Sequence, residues 1–131
     1  MGNGRVLVVD DEAQIRTTVK MVLTQAGYDV VEAEDGEKAV QAIKADDNPL
    51  MVDMLLCDMQ MPKCGGLGVI DYFRRQFPSV PIVVMTGYAD VKDAAQLMKQ
   101  GIVDYLVKPV EKSKLVDVVN EAVNKHTYRM T

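Results

Sequence analysis

The chain has 131 residues, 48% of them hydrophobic, which is enough to bury one core. Net charge is −4 and the lysines and arginines are scattered, Arg74-Arg75 being the one adjacent pair. That excludes the basic patch expected of direct nucleic-acid binding. No apolar run approaches the roughly 20 residues of a membrane span. Met1 to Arg5 lacks the apolar core of a signal peptide, so a cytosolic protein is expected.

Arg5-Val6-Leu7-Val8-Val9 reads as a first strand, ending on Asp10-Asp11-Glu12. A helix follows, with Ile15, Val19, Val22, Leu23 and Ala26 at helical spacing and Gly27 as its stop. Asp29 to Ala33 is a second strand, more polar and so nearer a sheet edge. Glu34-Asp35-Gly36 makes a turn, and Glu37 to Ala45 carries Ala39, Val40, Ala42 and Ile43 on one helical face. Asp46-Asp47-Asn48-Pro49 closes that helix. Met54-Leu55-Leu56-Cys57-Asp58 is the third strand, an apolar run that stops on a carboxylate.

After a loop from Met59 to Gly65, a helix from about Gly66 to Phe77 is expected to bury Leu67, Ile70 and Phe73. Ile82 to Met85 is the fourth strand, ending on Thr86-Gly87-Tyr88. Ala94, Ala95, Leu97 and Met98 mark a short helix stopped by Gly101. Asp104-Tyr105-Leu106-Val107 is the fifth strand, ending on Lys108-Pro109. A last helix, about Lys112 to Asn124, presents Leu115, Val116, Val118, Val119, Ala122 and Val123. His126, the single histidine, lies past it and is expected to be an inert surface residue. Cys57 and Cys64 are expected to be free thiols, Cys57 as core filler.

Five strands alternate with five helices through short connections. The pattern predicts a single doubly wound α/β domain with a parallel sheet, residues 1–131 with a core of about 5–125. In such a sheet, chemistry collects at the carboxyl ends of the strands. Those ends carry Asp10-Asp11, Asp58, Thr86 and Lys108. Taken singly each has a plain role, such as a helix cap, a turn residue or a solvated lysine. Together they do not. Two carboxylates 4 Å apart repel by about 4 kcal/mol at an effective dielectric near 20, so three with one lysine call for a cation. Magnesium suits oxygen ligands of this kind. A metal, an ammonium and a hydroxyl around one free carboxylate are also what phosphoryl transfer needs, with Asp58 as the nucleophile.

On Val8-Val9-Asp10-Asp11-Glu12, Cys57-Asp58-Met59-Gln60-Met61-Pro62, Met85-Thr86-Gly87 and Tyr105-Leu106-Val107-Lys108-Pro109, the chain resembles the response regulator receiver family. The resemblance implies a CheY-like, flavodoxin-like fold with strand order 2-1-3-4-5 and five helices. It implies that Asp58 accepts a phosphoryl group from a sensor histidine kinase or phosphotransfer protein. Asp11, Asp58 and the main-chain carbonyl of Gln60 would bind Mg2+ (or Mn2+), with Asp10 acting partly through water. Thr86 and Lys108 would hold the phosphoryl oxygens, and Lys108-Pro109 would be cis. Thr86 and Tyr105 would form the switch that reshapes the face of the fourth helix, fifth strand and fifth helix for an effector protein or output domain. Such a protein catalyses only its own phosphorylation and dephosphorylation. A homodimer formed on phosphorylation through the alanine-rich fourth helix is a further expectation.

Two places depart from the commonest pattern. Lys63-Cys64-Gly65-Gly66 lacks the acidic residue often seen before the second glycine, and Tyr88 is bulkier than many relatives carry there. Tyr88, with Gln60, is expected to limit attacking water. Three other readings share parts of the pattern. A magnesium-dependent aspartyl phosphatase of the haloacid dehalogenase type would place Asp-x-Asp after the first strand. A flavin carrier would need a Ser/Thr/Gly-rich phosphate loop where Asp10-Asp11-Glu12 stands. A receiver-like scaffold would bind partners without phosphorylation.

Overall fold

A computed structural model describes residues 3–61, 66–87 and 91–130, with side chains at 66, 91 and 127–130 left aside. Its elements are β1 (Gly4–Val9), α1 (Ala13–Gln25), β2 (Tyr28–Ala33), α2 (Gly36–Lys44), α3 (Asn48–Met51), β3 (Val52–Asp58), α4 (Gly66–Gln76), β4 (Ile82–Thr86), α5 (Val91–Lys99), β5 (Asp104–Val107) and α6 (Lys112–Met130). All four strand pairings are parallel and the order is β2-β1-β3-β4-β5. The expected doubly wound sheet is therefore present, with the polar β2 at its edge.

Side chains alternate across each strand, and the two faces build two cores. Leu7, Val9, Leu55, Cys57 and Val84 meet Ala39 and Ile43 of α2, Val69, Ile70 and Phe73 of α4, and Ala94 and Leu97 of α5. Val6, Val8, Met54, Leu56 and Met85 meet Val19, Val22 and Leu23 of α1 and Leu115, Val118, Val119, Ala122 and Val123 of α6. Strands buried on both faces explain why they read as unbroken apolar runs. Local signals hold too. Asp35 caps α2 by accepting from the Lys38 amide at 2.8 Å, and Gly27 ends α1 at φ +95°, a conformation glycine adopts readily.

Three expectations are corrected. A sixth, four-residue helix, α3, stands where Asn48-Pro49 was read only as a stop; proline in a first turn lacks only an N–H that has no partner there anyway. Leu67 is exposed, at 58%. The buried face of α4 is Val69, Ile70 and Phe73, and Leu67 in the first turn falls beside it. His126 is not a surface residue. It lies in α6, which runs six residues past Asn124, and it is only 3% exposed.

The His126 contact closes a small polar cluster at the amino end of the sheet. The β1–β3 register shifts between Arg5 and Val6, leaving Asp53 as the extra residue. Its Oδ2 accepts from the Arg5 amide at 2.8 Å, and His126 Nδ1 donates to Oδ1 at 3.0 Å. Tyr28 adds a second tie to α6 by donating to Asn120 Oδ1.

Candidate functional site

In this strand order the chain leaves β1 towards β2 on one side and returns to β3 on the other. The carboxyl ends of β1 and β3 therefore flank the topological switch point, where open α/β sheets form their crevice. Asp10 follows β1 and Asp58 closes β3. Alternation continues the α1/α6 face (Val6, Val8; Met54, Leu56; Leu106) to Asp10, Asp58 and Lys108. Lys108 Nζ lies 2.9 Å from Asp10 Oδ2, 3.1 Å from Asp58 Oδ2 and 3.9 Å from Glu12 Oε1. Asp10 is wholly buried and Asp58 is 2% exposed, so one ammonium bridges two desolvated carboxylates. The Lys108–Pro109 bond is cis, as the resemblance implies.

Backbone bonds fix the rest. The Glu12 amide donates to Asp10 Oδ1 at 2.9 Å and the Gln60 amide to Asp58 Oδ1 at 3.0 Å. Each is a carboxylate bonded to the amide two residues on, a turn that aspartate favours. Lys108 N donates to Thr86 O at 2.8 Å and Met59 N to Met85 O at 3.0 Å, tying the strand ends together. Thr86 is buried and donates its hydroxyl to Gly87 O at 3.2 Å. Because Val84 pairs with Tyr105 and Thr86 with Val107, Thr86 and the half-buried Tyr105 share the other face of the sheet. Tyr88 and Cys64 lie outside the described residues.

Electrostatics follow from this packing. Burial alone would lower the Lys108 pKa, but hydrogen bonding and charge from Asp10, then Asp58, outweigh it and hold the ammonium's pKa above its ordinary value. Burial, with the charges of Asp58 and Asp10 behind it, pushes the Cys57 thiol far up, so this cysteine is inert packing.

Asp10, Asp11 and Glu12 each offer a carboxylate oxygen, all within 4.8 Å of one another. Asp11 and Glu12 are exposed, and this all-oxygen set has one ammonium for its neutralisation, so it fits a hard divalent cation. Asp58 joins this cluster through Lys108 rather than as a member of it. Glu12 was legible in the motif but was not assigned a role there. Arg16 was missed altogether: its NH1 donates to the Asp10 main-chain carbonyl at 2.6 Å. The signal was a cation one helical turn beyond an acidic run.

Comparison with known proteins gives the family. The family model for the response regulator receiver domain matches residues 6–120. The chain belongs to this receiver family. Receivers bind Mg2+ at an acidic pocket, and the Asp10-Asp11-Glu12 cluster is consistent with one. A crystal structure of a response regulator receiver domain protein from Clostridium thermocellum is similar at TM-score 0.88 and 29% identity, covering 95% of this chain and 98% of that one. Among curated relatives, the protein named "Probable transcriptional regulator ycf27" of Porphyridium aerugineum is 38% identical over 88% of this receiver and 46% of its own length. The DNA-binding transcriptional regulator NtrC of Escherichia coli (strain K12) is 32% identical over 96% of this receiver and 26% of its own. The receiver thus spans between about a quarter and a half of the length of these relatives. Among the described residues, no helix is long and apolar enough to cross a membrane.

Proposed function

We propose that this receiver, a single domain over residues 1–131 with its core at about 5–125, is a phosphoacceptor of a two-component phosphorelay and that Asp58 is the accepting residue. The observation that carries the reading is the Lys108 ammonium bridging buried Asp10 and Asp58 at the switch point of the sheet. Asp58 Oδ attacks the phosphorus of a phosphohistidine on a sensor kinase or phosphotransfer protein. A P–O bond forms, the P–N bond breaks, and the departing nitrogen keeps that electron pair and takes a proton. Little covalent work falls to the protein, so positioning and charge neutralisation dominate. Lys108 moves from the carboxylate to a phosphoryl oxygen, and the Thr86 hydroxyl leaves Gly87 O for another. Asp10, Asp11, Asp58 and the Gln60 main-chain carbonyl would hold Mg2+ (or Mn2+), which when bound would supply further neutralisation of negative charge.

Tyr105 shares a face with Thr86, so a displaced Thr86 opens space into which the Tyr105 ring turns. That reshapes the surface of α5, β5 and α6 for an effector or an output domain, in a cytoplasmic setting, and offers α5 as the face of a phosphorylation-dependent homodimer. Gln60 and Tyr88 limit water at the acyl phosphate. The receiver itself makes no direct contact with nucleic acid or membrane. Intact mass after incubation with acetyl phosphate tests the core of this reading. One phosphoryl group should be gained with Mg2+, and none without it or in Asp58→Ala. No gain in folded parent protein would leave an unphosphorylated scaffold.

A further inference from the structure

We infer that Arg16 is a positioning residue for the cation site, acting through the Asp10 main-chain carbonyl, and that Glu32 aims it. The inference rests on the proposed cation chemistry at Asp10 and Asp11. Arg16 lies in α1, one turn past Glu12, with its side chain only 16% exposed. NH1 donates to Asp10 O at 2.6 Å, a short charge-assisted bond. Nε lies 3.5 Å from Glu32 Oε1 on β2, and Lys20 Nζ lies 3.5 Å from the other Glu32 oxygen. The guanidinium thus spans the end of β1 and the edge strand. Its planar fork sets NH1 on the Asp10 carbonyl while Nε stays in ion-pair range of Glu32, whereas an ammonium is a single point.

The Asp10 carbonyl matters because a peptide unit is planar. Fixing that oxygen fixes the plane from which Asp11 departs, while the Asp10 amide is already tied to Ala33 O at 3.1 Å. The Asp10 side chain is held at both oxygens, by the Glu12 amide and by Lys108. Arg16 supplies the remaining constraint on the turn that presents the carboxylates. Partners that orient metal ligands in this way typically change metal affinity 10- to 100-fold when lost.

Sign separates positioning from simple charge. Arg16→Gln removes a cation from beside a dication's site, so Coulomb's law alone predicts tighter Mg2+ binding. Positioning predicts weaker binding. Calorimetric Mg2+ titration of the unphosphorylated protein should give affinity about tenfold weaker for Arg16→Gln and Arg16→Lys. Glu32→Gln, at a partly exposed site where folding is safe, should weaken it by about threefold, keeping an acceptor but losing the ion pair. In acetyl phosphate labelling, the Mg2+ concentration for half-maximal rate should rise while the rate at saturating Mg2+ falls less than twofold. Parent affinity in any one of these variants, or tighter binding in Arg16→Gln, overturns the inference. A parent that binds no Mg2+ would instead overturn the phosphoacceptor reading beneath it.

Discussion

Replacing Lys108 by methionine keeps most of the apolar stem and removes the charge that bridges Asp10 and Asp58. At 2.9 and 3.1 Å, each contact corresponds to about 5.5 kcal/mol of attraction at an effective dielectric of 20, before desolvation is set against it. Deleting one member of a buried charge group leaves the others uncompensated and costs about 3–5 kcal/mol. With an unfolding entropy of about 2.1 cal/mol/K per residue over 131 residues, that corresponds to a fall in melting temperature of about 10–20 °C. The assay is thermal unfolding followed by circular dichroism, in EDTA and in excess Mg2+. Lys108→Met should melt well below the parent in EDTA and recover much of the difference in Mg2+, since a dication can take over the neutralisation. Lys108→Arg, which keeps the charge, should lose less than half as much. A Lys108→Met protein that melts at or above the parent in EDTA would refute the view that the ammonium holds the two carboxylates together.

Alkaline stability tests the same lysine from another direction. Its folded pKa is raised above 10.5 and that of Tyr28 above 10.0, the latter by burial and then by Asp53. Both raised values mean that the folded state holds its proton more tightly, so the stabilisation is complete below about pH 10 and lost as pH climbs through the folded values. Urea midpoints between pH 8 and 11.5 should fall at the alkaline end, less steeply in Lys108→Met; a flat profile contradicts this. His126→Ala should destabilise by about 1–3 kcal/mol in urea unfolding, because Asp53 Oδ1 loses its donor; a neutral change would show that the contact contributes nothing. Cys57, buried with its thiol pushed up, should resist alkylation in native protein when peptides are mapped by mass spectrometry. Labelling of Cys57 at the rate of a free thiol would mean the β3 core opens readily.

The parallel α/β class and the candidate site residues were legible for one reason: strands buried on both faces announce themselves as apolar runs, and the polar residue that stops each run marks the carboxyl edge of the sheet. The strand order came only from the family resemblance. Asp10, Asp58 and Lys108 were found that way, and the structure places the Lys108 ammonium within hydrogen-bonding reach of both carboxylates. The misses came where a local sign has two meanings. Asn48-Pro49 signals the end of one helix and the first turn of the next. Leu67 fits a spacing of three with Ile70 and Phe73, but the buried stripe runs through Val69, Ile70 and Phe73. His126 was set aside because the last helix was ended at Asn124, yet the helix runs on and His126 continues the series Val119, Ala122 and Val123 at helical spacing; its buried ring meets Asp53, a partner far away in sequence. Arg16 donates to a main-chain carbonyl, and its sign in the sequence, a cation one helical turn beyond an acidic run, does not say which atom it meets.

In the proposed reaction Asp58, and no other residue, takes the phosphoryl group. Borohydride reduction of acetyl phosphate-treated protein, followed by peptide mapping, reads this directly, because an acyl phosphate on aspartate is reduced to homoserine. Homoserine is expected at position 58, and only when Mg2+ was present during labelling. Homoserine at Asp10 or Asp11 instead, or a phosphoryl group retained with Asp58 intact, would contradict it.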